Sequence, residues 1–171
     1  MPANPRDTPV WTLAAASLRA GTPVALLYVV RSEGSSPGRQ GFKMAVTPAE
    51  VAGSIGGGVM EHKWVELARQ RLPEPAATPL LRPQIHRREA PADRSGMMCS
   101  GEQEVLLWPL VATDLATVAA IEEALQSGGR GIVSLSSTLG LQLQPAQTES
   151  AATEASFHSY RPGPDWQYRE Q

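Results

Sequence analysis

"GSIGGGVMEHKWVELARQRL", residues 53–72, sets four glycines among its first six residues and then turns amphipathic. Met60, Trp64, Leu67, Ala68 and Leu72 recur at helical spacing, which predicts a helix over about 59–72. Glycine loses more backbone freedom on folding than any other residue, so a run of it against a helix start needs a reason. Two reasons are available. A helix N-terminus carries unsatisfied N–H groups and about half a positive charge, and glycines let an anion reach them. Alternatively, the run is a tight strand-to-helix turn packed against another backbone. Neither G-x-x-x-x-G-K-[ST] nor G-x-G-x-x-G is present, so neither nucleotide fingerprint applies.

Immediately upstream, "FKMAVT" (42–47) alternates apolar and polar residues, and "EVAGSI" (50–55) follows Thr47-Pro48 as the second arm of a hairpin. "PVALLYVVRSEG" (23–34) opens with an unbroken apolar run, the pattern of a strand buried on both faces. "TPVWTLAAASLRAG" (8–21) reads as a helix ended by Gly21. Downstream, the proline- and alanine-rich stretch 73–83 reads as a connection, and "QIHRRE" (84–89) as a weak strand. "EQEVLLWPL" (102–110) is a stronger strand, and "DLATVAAIEEALQSGG" (114–129) is a helix closed by its glycines. "RGIVSLSS" (130–137), "LGLQLQP" (139–145) and "ASFHSYR" (155–161) supply three more strands, with a low-complexity loop over 144–156. Helices interspersed with strand groups predict an α+β fold: a mixed sheet covered by about three helices, in a single domain over 1–171.

Composition narrows the function. Of 171 residues, 42% are hydrophobic and 19% charged, which excludes a disordered chain. Fifteen basic against 17 acidic residues give a net charge of −2, with no general attraction to nucleic acid or to an anionic membrane. No apolar run approaches the roughly 20 residues of a membrane span. The N-terminal "MPANPRDTPV" lacks the features of a signal peptide, so the expected compartment is the cytoplasm. A lone cysteine, Cys99, excludes an internal disulfide and a multi-cysteine zinc site.

Two further stretches bear chemistry. "EGSSPGRQGFKM" (33–44) brings Ser35, Ser36, Arg39 and Lys43 into one loop stiffened by Pro37. Hydroxyls, backbone N–H groups and a guanidinium form an anion-binding set, although a solvated hairpin connection has the same composition. "GMMCSGEQEV" (96–105) places Cys99 in a turn before a strand, either as an inert side chain or as a soft ligand or sulfur carrier. His62, His86 and His158 have no mutual ligand spacing, Glu122-Glu123 belongs to a solvated helix face, and Trp11, Trp64 and Trp108 suit core or interface positions.

Taken together, "VVRSEGSSPGRQGFKMAVT", "VAGSIGGGVMEHKWVELAR" and "MMCSGEQEVLLWPL" resemble the N-terminal domain of the XdhC/CoxI family, accessory proteins of molybdenum hydroxylases such as xanthine dehydrogenase and CO dehydrogenase. The resemblance implies a chaperone that binds the molybdenum cofactor (molybdopterin), assists exchange of an oxo for a sulfido ligand and delivers the cofactor to an apoenzyme. By that likeness Ser35, Ser36, Arg39, Lys43, Gly53, Ser54, Gly56, Gly57, Gly58, Glu61, Cys99 and Gly101 are the cofactor-binding set, with Cys99 nearest the metal. Glu61 matches the acidic residue that ends the family's glycine signature, where the helix dipole would also favour it. A hydroxylase apoenzyme is the implied partner, with a cysteine desulfurase and a second copy of the chain as further ones. Where the family commonly follows its glycine run with a cysteine, this chain has Val59, and the family's CGG reads Cys99-Ser100-Gly101. The Rossmann-type domain with which family members continue is not found before Gln171. Sulfur transfer through Cys99, and a ligand-free docking domain, are the alternative functions.

Overall fold

The computed structural model describes residues 6–74, 78–86, 101–145 and 158–171. Among them three helices form: α1 (Thr8–Arg19), α2 (Gly58–Arg71) and α3 (Leu115–Ser127). Each lies within a residue or two of its periodic stretch. Gly21 (φ 68°) and Gly128 (φ 69°) end α1 and α3 in the left-handed conformation that glycine adopts without a Cβ penalty.

Among the described residues nine strands assemble into two sheets. In chain order they are β1 (Val24–Gly34), β2 (Lys43–Val46), β3 (Val51–Gly53), β4 (Leu80–His86), β5 (Gly101–Leu110), β6 (Gly131–Ser136), β7 (Gly140–Pro145), β8 (His158–Arg161) and β9 (Gln167–Glu170). The first sheet runs β3-β2-β1-β5-β4 and the second β7-β6-β9-β8. The α+β class is as the sequence predicts. The single mixed sheet is not: every pairing is antiparallel, and the strands divide into two sheets. Two local readings also change. The stretch assigned as a connection up to Pro83 contains the start of β4, and Pro83 is tolerated because β4 is an edge strand. β9, not anticipated at all, pairs with both β6 and β8.

The five-stranded sheet is covered on both sides, and the period of two decides which residues go where. Leu26, Tyr28, Val30, Ala45, Leu106 and Trp108 face a core shared with α1, α3 and the second sheet. Ala25, Leu27, Val29, Met44, Val46, Val105 and Leu107 face a separate core closed by Ile55 and by Trp64, Val65 and Ala68 of α2. The run 24–30 is therefore buried throughout, as a strand between two layers must be. Among the described residues no helix is long and apolar enough to cross a membrane.

Candidate functional site

The turn between β3 and α2 is built on glycine. Gly53, Gly56, Gly57 and Gly58 all have positive φ (89°, 127°, 77° and 73°), a succession that side-chain-bearing residues would strain to adopt. The turn folds around one carboxylate oxygen. Oε2 of Glu61, in the first turn of α2, accepts the Ser54 hydroxyl at 2.6 Å, the Ile55 N–H at 2.8 Å and the Gly57 N–H at 2.8 Å. Ser54 Oγ also accepts the Gly56 N–H at 3.1 Å. The positive end of the α2 dipole lies at the same place and favours the negative charge. The tight-turn reading is thus realised, with the donors at its centre gathered on the chain's own Glu61 carboxylate.

Three segments meet here, backbone against backbone. A Cβ on Gly56 would lie 2.5 Å from the Gly38 nitrogen, one on Gly38 would lie 2.2 Å from the Ile55 oxygen, and one on Gly101 would lie 2.4 Å from the Ser36 nitrogen. The loop 35–38, the glycine turn and the start of β5 can touch only because these positions lack side chains. Gln103 ties them together: its Oε1 accepts the Gly38 N–H at 2.9 Å, and its Nε2 donates to the Ile55 carbonyl at 3.3 Å. Behind it, Gln84 Oε1 accepts from Trp64 Nε1 at 2.8 Å and from Gln103 Nε2 at 3.4 Å. Gln103 and Gln84 are 3% and 4% exposed, so these bonds are made away from water and are costly to lose. The sequence reading passed over Gly38, Gln84 and Gln103. The clue was present in the alternation of β5, which puts Gln103 in phase with the inward-facing Val105 and Leu107.

The proposed ligand residues separate into groups. Ser36, Ser54, Gly56, Gly57, Glu61 and Gly101 converge on the cluster, and Gly58 opens α2 beside it. Ser36 Oγ is turned inward, donating to the Gly38 carbonyl at 2.8 Å. Ser35 and Arg39 are exposed on the same loop, where Arg39 Nη1 donates to the Gly34 carbonyl at 3.1 Å. Gly53 serves packing instead, since a Cβ there would meet the Lys43 carbonyl at 2.3 Å and Val10 at 2.5 Å. Cys99, the expected metal ligand, lies outside the described residues, as do Met97, Met98 and Ser100. Among the described residues no group of three or more His, Cys, Asp and Glu side chains is arranged to hold a metal.

Lys43 belongs to a different place. It is paired across the sheet with Tyr28, so its side chain enters the core on the face opposite Met44, Ile55 and α2. There its ammonium contacts Asp7 at 2.7 Å and Glu170 at 3.0 Å and lies 5.4 Å from the centre of the Tyr28 ring. Glu170 also accepts the Tyr28 hydroxyl at 2.9 Å and the Tyr168 hydroxyl at 3.0 Å. Because Tyr168 donates to Glu170, its lone pair is left to accept from His158 Nδ1 at 2.8 Å, which assigns the Nδ1–H tautomer to neutral His158. Burial opposes the Lys43 charge, but the Glu170 and Asp7 carboxylates outweigh it and hold the ammonium above its ordinary pKa. Burial raises the Asp7 carboxyl despite Lys43, pushes the Tyr28 and Tyr168 hydroxyls far up, and lowers His158 despite Glu170. This buried cluster joins the segment before α1 to both sheets. It consumes the charge that the sequence reading had placed on the loop.

An α+β domain whose glycine turn gathers donors on one anionic oxygen is the class that fold and site define. Residues 17–82 match the XdhC and CoxI family, which bears out the resemblance read from the sequence. The matched stretch includes both glycine-rich loops and Glu61. The fold is also that of a solved protein from Bacillus halodurans described as a xanthine dehydrogenase, at a TM-score of 0.58 and 21% identity. That likeness covers 77% of this chain and 40% of the other, so the match spans less than half the length of that relative. No curated protein matches the sequence.

Proposed function

We propose that this chain is an accessory protein in the maturation of a molybdenum hydroxylase. It binds the molybdenum cofactor, assists its sulfuration and passes it to a xanthine dehydrogenase- or CO dehydrogenase-type apoenzyme. The observation that carries the reading is the glycine turn inside the family match: three donors converge on one anionic oxygen. The cofactor ends in a phosphate, and Glu61 Oε2 stands in for a phosphate oxygen, so the donor chemistry suits that group. The Ile55 and Gly57 N–H groups and the Ser54 hydroxyl would hold it. Gly57, where a Cβ would meet nothing within 4 Å, leaves the approach open, and Ser35 and Arg39 are exposed on the loop whose Pro37 and Gly38 pack against Gly56. The bound cofactor would supply the metal that carries oxo or sulfido ligands, while the chain binds, orients and shields it. Cys99 is the residue proposed to lie nearest the metal, with a cysteine desulfurase as the sulfur donor, a homodimer as the assembly and the cytoplasm as the site of action.

The test is co-elution. The chain is mixed with freshly released cofactor and separated by size, and the protein peak is assayed for molybdenum and for oxidised-pterin fluorescence. About one cofactor per chain, lost in Gly57→Asp, is the expected result. A peak free of both, from protein with a folded circular-dichroism spectrum, refutes binding. Cys99→Ala that keeps the cofactor but loses sulfuration would assign sulfur transfer to that thiol. One observation favours the docking-domain reading instead: the turn is already satisfied by Glu61. That reading expects a hydroxylase to be captured by a chain that carries no molybdenum.

A further inference from the structure

We infer that the buried cluster around Lys43 is a one-proton switch, loaded at His158 and read out in the glycine-rich loop 35–42. Charge balance carries the first half. Asp7 and Glu170 contact the Lys43 ammonium at 2.7 Å and 3.0 Å, so two carboxylates share one cation. Tyr28 and Tyr168 donate hydroxyl protons to Glu170 but bring no charge, which leaves the cluster one proton short of neutrality. A buried excess charge is costly, so a base in contact with it is favoured to take that proton. His158 is such a base, with Nδ1 at 2.8 Å from the Tyr168 hydroxyl and 3.8 Å from Glu170 Oε2. Its side chain is 29% exposed, more than Asp7 at 20% or Glu170 at 8%, so the cluster meets water there. Burial opposes the imidazolium and Lys43 opposes it further, whereas Glu170 and Asp7 favour it, so the ring charges only in acid.

The second half follows from what the ring touches. A Cβ on Gly41 would lie 2.3 Å from His158 Cε1 and 2.9 Å from each ring nitrogen, so the imidazole rests on the loop backbone. Gly41 donates its N–H to the Val29 carbonyl at 2.9 Å, and the same loop meets the glycine turn through Gly38 and Gly56. Lys43 adds a direct link, its carbonyl accepting the Ser54 N–H at 3.0 Å. The groups that face the ring are Tyr168 and Glu170 on β9, Lys43 on β2 and Asp7 before α1, with Tyr28 on β1 behind Tyr168. Arg6 flanks the loop, 5.8 Å from the centre of the Phe42 ring, and Arg161 and Arg169 alternate to the other face of the second sheet. A protonated ring is drawn toward the Glu170 carboxylate and off Gly41, and the loop beside the glycine turn adjusts. This coupling is independent of what the glycine turn binds.

The experiment is an NMR titration of the full chain from pH 8 to pH 5, following the His158 ring and the Gly41 and Ser54 amides. Both amides are expected to shift with the midpoint of the His158 ring, and to lose that shift in His158→Gln. Asp7→Asn removes a negative charge and should lower the His158 midpoint by about half a pH unit or more, while Lys43→Met should raise it by a similar amount. Amides that stay flat through the His158 midpoint, or that titrate unchanged in His158→Gln, overturn the inference. A His158 midpoint equal in Asp7→Asn and the unaltered chain overturns it as well. If Lys43→Met fails to fold, Asp7→Asn decides alone, because its carboxamide oxygen can still accept from Lys43. If Asp7→Asn fails too, Glu170→Gln decides, with a lowered midpoint supporting the switch and an unmoved one refuting it.

Discussion

Replacing Lys43 by methionine removes one charge from the centre of the protein while nearly preserving the length of the side chain. Lys43 is 4% exposed and stands between Asp7 at 2.7 Å and Glu170 at 3.0 Å. Without it the buried carboxylate of Glu170 and the partly buried one of Asp7 remain with no cation between them. Removing one partner of a buried ion pair costs about 3–5 kcal/mol, since the partner's charge is left uncompensated. Native proteins are stable by only about 5–15 kcal/mol, so the loss takes a large part of the total. For a protein of this size it corresponds to a fall in Tm of roughly 6–20 °C. Urea unfolding followed by tryptophan fluorescence at pH 7 measures it. The sign of the pH dependence gives a second check. Asp7 already holds its proton more tightly folded than unfolded, because burial raises its pKa, and loss of the ammonium raises it further. A carboxyl with a raised folded pKa favours the folded state as pH falls toward that value, so the deficit of Lys43→Met shrinks between pH 7 and pH 5. Adding Glu170→Gln to the variant also recovers stability, because the carboxamide oxygen still accepts from Tyr28 or Tyr168 without a charge. A loss below about 1 kcal/mol, or a deficit identical at pH 5 and 7, would refute the reasoning, because it would mean that water reaches both carboxylates.

His158 supplies a further prediction. Burial lowers its folded pKa below 6.5, so its contribution to stability is present above pH 6.5 and is lost as pH falls from there through the lowered value. NMR titration of the ring protons should place its midpoint below 6.5, and His158→Gln should remove that part of the acid loss in urea unfolding. In the glycine turn, Gly57→Ala meets no atom within 4 Å and costs only the strain of a backbone conformation (φ 77°, ψ −174°) that is essentially glycine's own, about 1–3 kcal/mol, whereas Gly56→Ala also drives a Cβ to 2.5 Å from the Gly38 nitrogen and should cost clearly more in the same assay. Gln103→Leu orphans the Gly38 N–H and the Ile55 carbonyl, at about 1–3 kcal/mol each. Hydrogen exchange at Gly38 should accelerate accordingly, and unchanged protection there would contradict the arrangement.

Sequence alone determined the elements that are made by neighbours. The three helices follow from apolar spacing and from glycines placed where α1 and α3 must stop, because helix periodicity and C-terminal caps are properties of a few adjacent residues. β1 was legible as a doubly buried strand, and the glycine turn was legible as a special structure at the start of α2. The acidic residue in the first turn of α2 was visible too. Its role as the atom on which the turn closes was not, since that depends on backbone directions set by four positive φ values.

Tertiary structure decided the rest. Lys43 and Met44 are adjacent where the glycine-rich loop runs into a short strand, and pairing with β1 sends them to opposite faces of a sheet, where one of them ends among Asp7, Tyr28 and Glu170. β9 is four residues of mixed polarity with no apolar run. It becomes a strand because β6 and β8 each offer it an unpaired edge, and its alternation then buries Tyr168 and Glu170. The division into two antiparallel sheets has the same origin. A strand's hydrogen bonds are made to residues distant in sequence, so which strands pair, and which side chains share a face, is fixed only when the chain has closed on itself.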